Sequence, residues 1–204
     1  MKIITISREF GSGGRELGKR MADILGFDYY DRQIISTIAS NKGLDENYVE
    51  SELERPIWQS IPLTFGHSFA SVMVQSPKTE LLLEQKKVIE DIAKRKKDFI
   101  MVGRSADVYL KEYNPFNIFV CAPMEARVER CMKRESGSEK LTRKAMEANI
   151  KRIDKNRSEF REIIADSKWG DAKAYHACFN TNGWDIKELA AAVSDFSMQW
   201  FSKK

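Results

Sequence analysis

The first 26 residues constrain this chain more than any other segment. Residues 2–6, KIITI, form a short apolar run ending at Ser7, the pattern of a buried strand. Phe10-Gly11-Ser12-Gly13-Gly14 follows, and then Leu17, Met21, Ile24 and Leu25 recur at helical spacing. That spacing predicts an amphipathic helix over 15–25, stopped by Gly26. A strand that passes through a glycine-rich turn into a helix makes a phosphate site. Its backbone N–H groups converge, the helix N-terminus adds partial positive charge, and glycine lets the chain wrap closely. The four small residues 11–14 exceed what a simple tight turn needs. The GxxxxGK[ST] pattern is not met. With Gly13 as its second glycine, the lysine position holds Gly14 and the hydroxyl position holds Arg15, the nearest cation.

The rest of the chain alternates between the two periodicities. FDYY at 27–30 reads as a second short strand, and Ile34, Ile35 and Ile38 as a helix ending near 41–43. Residues 44–76, with Pro56, Pro62, Trp58, Phe65 and Phe69, read as an insert of short helices and loops. A helix over 78–96 carries Leu81, Leu82, Val88, Ile89 and Ile92 on one face. Its Lys94, Arg95, Lys96 and Lys97 suit the negative end of the helix dipole and need no nucleic acid. FIMV at 99–102 and NIFVCA at 117–122 are continuous apolar runs, as in strands buried on both faces. Helices at 124–134 and about 140–165, a strand at 177–180 and a C-terminal helix from Ile186 to Trp200 complete the order. Repeated strand–helix alternation predicts a three-layer α/β/α fold on a parallel sheet.

Composition narrows the class. In 204 residues, 42% are hydrophobic, enough for a core without disulfides. Three unclustered cysteines fit a reduced, cytoplasmic protein, and their plain reading is small core or surface residues. No run approaches the roughly 18 apolar residues of a membrane span. The apolar stretch at the start is too short for a signal peptide. A net charge of +4 does not mark a general nucleic-acid binder.

Two further candidate sites stand out. Gly103-Arg104-Ser105-Ala106-Asp107 follows a strand directly, where open α/β sheets bind ligands. An Arg and an Asp there suit a phosphate and a sugar or base edge, although a surface ion pair explains them too. Residues 125–161 hold 12 Lys or Arg against 7 Asp or Glu. Arg127, Arg130, Arg134, Arg152 and Arg157 share helix faces, as arginines that close over a transferring phosphoryl group would. A solvated, salt-bridged face is the plainer reading of that stretch. Trp169, Tyr175 and Trp184 read as packing anchors. Trp200 and Phe201 read as docking on the sheet or meeting a second copy, which leaves a homo-oligomer open. No Cys or His spacing suggests zinc.

Together these segments resemble the cytidylate kinase-like family, a branch of the P-loop nucleoside monophosphate kinases. ITISREFGSGGRELGKRMADILGFDYYDRQII carries the resemblance, supported by VGRSADVYL, FVCAPMEARVERCMKRE, KRIDKNRSEFREII and WGDAKAYHACFNT. The resemblance implies a five-stranded parallel sheet in one kinase-like domain over 1–204, with an acceptor-side insert at 44–76 and a basic lid at 125–161. It implies ATP with Mg²⁺ on the loop Gly11, Ser12, Gly13, Gly14, Arg15 and Glu16, and CMP or dCMP as acceptor. Arg104 follows a glycine as acceptor-binding arginines of the family do, and Asp107 falls near the acidic position of its Gly-Arg-Asp. Arg127 and Arg130 match the region of the lid arginines. DKNR resembles the family's D-R-N-R, which carries over Asp154 and Arg157. Asp31 and Arg32 lie where polar residues hold the acceptor. The chain departs from the pattern at the loop, where the lysine and the following hydroxyl are absent. Arg for Lys is not a neutral exchange, and losing the hydroxyl removes the usual Mg²⁺ ligand. A nucleotide-binding module without turnover is therefore the alternative. A single-strand nucleic-acid binder is weakened by the acidic residues within 125–161 and by the lack of aromatics there beyond Phe160.

Overall fold

The apolar runs near the start and around 100 and 118 bury their aliphatic and phenylalanine side chains, with Cys121 half-buried. Only the interior strands of a sheet covered on both faces require this. The computed structural model describes residues 1–55, 77–134 and 141–203. Five parallel strands, β1 (Ile3–Arg8), β2 (Asp28–Tyr30), β3 (Phe99–Val102), β4 (Phe116–Cys121) and β5 (Ala177–Asn180), stand in the order β2-β3-β1-β4-β5. β1 is central, and the order reverses on its two sides. β1 continues past the expected end at Ser7 because Arg8 still has a partner, Val120 of β4.

The helices among the described residues are α1 (Gly14–Leu25), α2 (Gln33–Lys42), α3 (Glu46–Glu54), α4 (Pro77–Lys94), α5 (Ala106–Tyr109), α6 (Met124–Arg134), α7 (Arg143–Ile164) and α8 (Ile186–Ser202). The polar stretch expected to be helical over about 140–165 is the single helix α7, begun by Thr142, whose hydroxyl accepts from the Ala145 N–H. The chain separates into two compact units, 1–31 with 96–204, and 32–95. The first holds the sheet. In the second, α2, α3 and α4 pack on one another. The expected insert at 44–76 lies in the second unit, where α3 is its helical part and 56–76 fall outside the described residues.

Alternation along the strands sorts the core of the first unit. Ile4, Ile6, Ile100, Val102, Ile118 and Val120 meet Leu17 and Met21 of α1 and Ile186, Leu189 and Val193 of α8. On the other face, Phe119 lies under Trp169 and Tyr175, with ring centroids 5.3 and 5.0 Å away. Those two aromatics are packing anchors, but Trp184 is not: it follows the β5 turn and is 55% exposed. Trp200 docks on the sheet, 4.9 Å from the Phe116 ring, with Phe201 at 6.3 Å. A smaller core, Val128, Met146 and Ile150 with Phe10, joins α6 and α7 to the segment after β1.

Phe116 is fully buried and touches the rings of His176, Phe196, Trp200 and Phe201. Phe116→Ala is expected to cost about 3–5 kcal/mol. Thermal unfolding should fall by roughly 6–20 °C for a chain of this size. A fall of under about 2 °C would show that this cluster does not anchor α8.

Candidate active site

The segment between β1 and α1 is held from outside, carbonyl by carbonyl. Arg157 Nη1 donates to the Arg8 carbonyl at 2.9 Å and the Ser12 hydroxyl to that of Glu9 at 2.9 Å. Arg127 Nη1 reaches the Phe10 carbonyl at 3.4 Å and Arg130 Nη1 that of Gly11 at 2.7 Å. The buried Thr181 hydroxyl donates to the Ser12 carbonyl at 2.6 Å. The Gly13 carbonyl accepts the first α-helical bond of α1, from Leu17 N at 2.9 Å. Asp154 completes the frame, taking the Phe10 N–H at 2.7 Å on one oxygen and an ion pair with Arg127 on the other.

With its carbonyls bound, the loop leaves a row of donors. The N–H groups of Gly11, Gly13, Gly14, Arg15 and Glu16 make no hydrogen bond among the described residues. Gly13 supplies the left-handed turn, at φ 87°, that sets Gly14 at the head of α1. Gly11, Gly13, Gly14 and Arg15 line a cleft of about 340 Å³, whose other wall includes Cys131, Arg134, Met146 and Asn149 of α6 and α7. Such a row at the positive end of a twelve-residue helix is a place for an anion. Burial pushes the Cys131 thiol up, so at neutral pH it is no thiolate nucleophile.

A second charged group stands at the carboxyl ends of β1, β2 and β3. Asp31 is buried and pairs with Arg15 Nε, with Arg8 Nη2 at 3.6 Å. Burial, reinforced by the charges of Arg157, Arg104 and Arg15 and opposed by Asp31, pushes the Arg8 guanidinium down to about 9, so it stays charged at neutral pH. After β3, Gly103, Arg104 and Ser105 run at φ 75°, 57° and 50°. Two successive non-glycine residues in the left-handed region are strained, and such strain gathers where a turn has work to do.

The sequence-expected residues therefore fall into groups. Gly11, Gly13, Gly14 and Arg15 line the cleft, while Ser12 is buried and spends its hydroxyl inside the loop. Glu16 is held by Arg20 at 3.0 Å and by Arg134. Arg127, Arg130 and Arg157 each donate to a loop carbonyl. Asp107 is buried in an ion pair with Arg161 of α7, whose guanidinium also meets the Ser167 hydroxyl and the Tyr175 ring. Arg32 lies in the second unit, paired with Glu50. Sequence reasoning missed Arg8, Arg161 and Thr181. Arg8 carried a signal: it stands where GxxxxGK[ST] puts its first glycine when Gly13 is the second. Among the described residues no three His, Cys, Asp or Glu side chains cluster as metal ligands, and Arg15 occupies the hydroxyl position.

The Asp107–Arg161 pair ties α7 to the strained turn after β3. Arg161→Ala leaves a buried carboxylate unpaired and is expected to cost about 3–5 kcal/mol. Asp107→Leu together with Arg161→Met should restore most of that stability in denaturant titration. A double variant as unstable as Arg161→Ala would contradict this reading of the pair.

The geometry is matched by likeness to known proteins. The cytidylate kinase of Haloarcula marismortui is 23% identical over 184 residues, 90% of this chain and 82% of that protein. Among solved structures, an uncharacterized protein from Eubacterium ventriosum is similar at TM-score 0.70 and 22% identity, covering 97% of this chain and 98% of that one. The shikimate kinase of Acinetobacter baumannii, solved in complex with shikimate, is similar at TM-score 0.55 and 14% identity, covering 98% and 94%. The second of these likenesses shows a fold shared with P-loop kinases. The model of the cytidylate kinase-like family matches residues 3–183, and the chain belongs to that family.

Proposed function

We propose that the chain is a phosphotransferase that moves the γ-phosphoryl group of ATP to a nucleoside monophosphate, with CMP or dCMP as the acceptor. The observation that carries this is the loop whose carbonyls are bound from behind and whose N–H groups of Gly11, Gly13, Gly14, Arg15 and Glu16 are left to a ligand. Membership of the cytidylate kinase-like family supports the same reading.

The chemistry asks little of the protein beyond position and charge. A phosphate oxygen of the acceptor attacks the γ-phosphorus, the bond to the β–γ bridging oxygen breaks, and ADP leaves with that electron pair. The attacking oxygen is already ionised, so no base has to take a proton from it. Catalysis is then orientation and electrostatic stabilisation. The loop amides hold the triphosphate. Arg15, Asp31 and Arg104, together at the carboxyl ends of β1 to β3, place the acceptor. Arg157 adds positive charge and, with Arg127, Arg130 and Asp154, keeps the loop in shape. Asp107 acts at one remove, by holding the turn that carries Arg104. The residues fit a polyphosphate, but they offer no ready magnesium site: Glu16 is held by two arginines. Mg²⁺ would come bound to the nucleotide. The segment 125–161, which takes in most of α6 and α7, is the proposed lid, and the cell's cytoplasm the proposed setting.

The second reading, a nucleotide-binding module without turnover, is favoured by Gly14 and Arg15 at the lysine and hydroxyl positions. Coupled ADP release with CMP, dCMP, UMP and AMP, and with shikimate as a non-nucleotide acceptor, separates the two. Turnover with one monophosphate, lowered about a hundredfold or more by Arg15→Ala and by Arg157→Ala in folded protein, is the expected result. Thermal stabilisation by ATP–Mg²⁺ without ADP release from any acceptor would establish the binding module instead. Turnover unchanged in both variants would remove Arg15 and Arg157 from the site.

A further inference from the structure

We propose that Arg8 is the phosphate-binding cation of the glycine loop, standing in for the lysine that position 14 lacks. Gly14 is then a glycine because the start of the Arg8 side chain needs its space, while Gly103, whose left-handed φ of 75° already calls for glycine, leaves room for the Arg8 guanidinium. This rests on the phosphotransferase reading of the same site.

Three observations converge on one side chain. The first is register: Arg8 ends β1, five residues before Gly13, so the cation stands at the start of the loop rather than at its end. The second is space. A Cβ on Gly14 would lie 2.7 Å from Arg8 Cβ and 3.2 Å from its Cγ. A Cβ on Gly103 would lie 1.4 Å from Arg8 Nη1. The side chain thus begins against the head of α1 and ends over the turn after β3. Any side chain at 14, lysine included, competes with Arg8 for the same volume. The third is charge. Arg8 is only 13% exposed and lies among Arg15, Arg104 and Arg157. Its carboxylate neighbour, Asp31, is 3.6 Å away and is engaged more closely by Arg15.

A largely buried guanidinium crowded by like charges and shared out on one carboxylate is poorly explained as a structural ion pair. Desolvation and repulsion both work against it. A polyphosphate relieves both, and a planar fork can take two oxygens of one phosphoryl group where lysine offers a point charge. Arg8 also lines the cleft beside Gly14 and Arg15. A cation wedged between the loop and the β3 turn stands between the donor and acceptor sides of the proposed reaction. That makes it a candidate catalytic residue rather than a scaffold.

The test uses calorimetric titration of ATP–Mg²⁺ into the whole chain and its variants Arg8→Gln, Arg8→Lys, Arg8→Gly, and Arg8→Gly with Gly14→Lys, each also followed by thermal unfolding without ligand. Arg8→Gln should bind about ten- to a hundredfold more weakly than the unaltered chain, yet unfold at the same temperature or higher, because a crowded charge has gone. Arg8→Lys should retain part of the affinity. Moving the cation to the lysine position should recover binding that Arg8→Gly alone loses. Unchanged affinity in Arg8→Gln overturns the proposal. So does a parallel loss of stability and binding that neither Arg8→Lys nor the relocated lysine repairs, since that marks a structural residue. If the unaltered, folded chain binds no ATP–Mg²⁺, the phosphotransferase reading fails and this inference falls with it. If the unaltered chain binds and only the variants behave otherwise, this inference alone fails.

Discussion

The site depends on the binding of the loop's outward carbonyls by side chains that arrive from the far half of the chain. Arg127 and Arg130 come from α6, Arg157 from α7 and Thr181 from the residue after β5. A backbone segment that spends most of its acceptors this way has few left for its own N–H groups, which stay open to water until a ligand comes. The loop is therefore preformed, and in the proposed function the ordering cost of a polyphosphate cradle is met during folding rather than at binding. The same side chains explain why a basic stretch with a net positive charge need not meet nucleic acid. Much of that charge is directed at backbone oxygens and at Asp154, Glu16 and Asp107.

A second feature runs against stability. Arg8 lies largely covered among other arginines, Arg104 and Ser105 take left-handed conformations, and Asp107 and Arg161 are buried together behind that turn. Each arrangement costs free energy that packing elsewhere must offset, as the paired aromatic and aliphatic faces of the sheet do. Strained, like-charged clusters at the carboxyl ends of parallel strands are what an anion-handling site looks like before its anion binds.

Local pattern made the frame legible in the sequence. KIITI, FIMV and NIFVCA announced β1, β3 and β4, and Leu17 with Met21 announced the buried face of α1. The strand order and the two-unit division were not visible, because they rest on pairings between distant segments that no local period encodes. The site shows the same split. The glycine loop could be read from its neighbours in sequence, and so could the abundance of arginine. Which carbonyl each arginine takes could not, because Arg130 and Gly11 are 119 residues apart. Asp107 looked like a ligand group because its partner, Arg161, is 54 residues away. Arg8 carried a signal, a cation at the first-glycine position of the pattern, but its closeness to Gly14 and Gly103 rests on contacts across the fold.

Amide hydrogen exchange of Gly11, Gly13, Gly14, Arg15 and Glu16, with and without saturating ATP–Mg²⁺, tests the preformed cradle most directly. The loop should exchange as an ordered segment whose exposed donors are slowed when nucleotide binds, with Arg8 and the residues of β1 little changed. Saturation verified by calorimetry, with these five amides exchanging at an unaltered rate and protection appearing elsewhere, would show that the phosphates are held by some other part of the molecule.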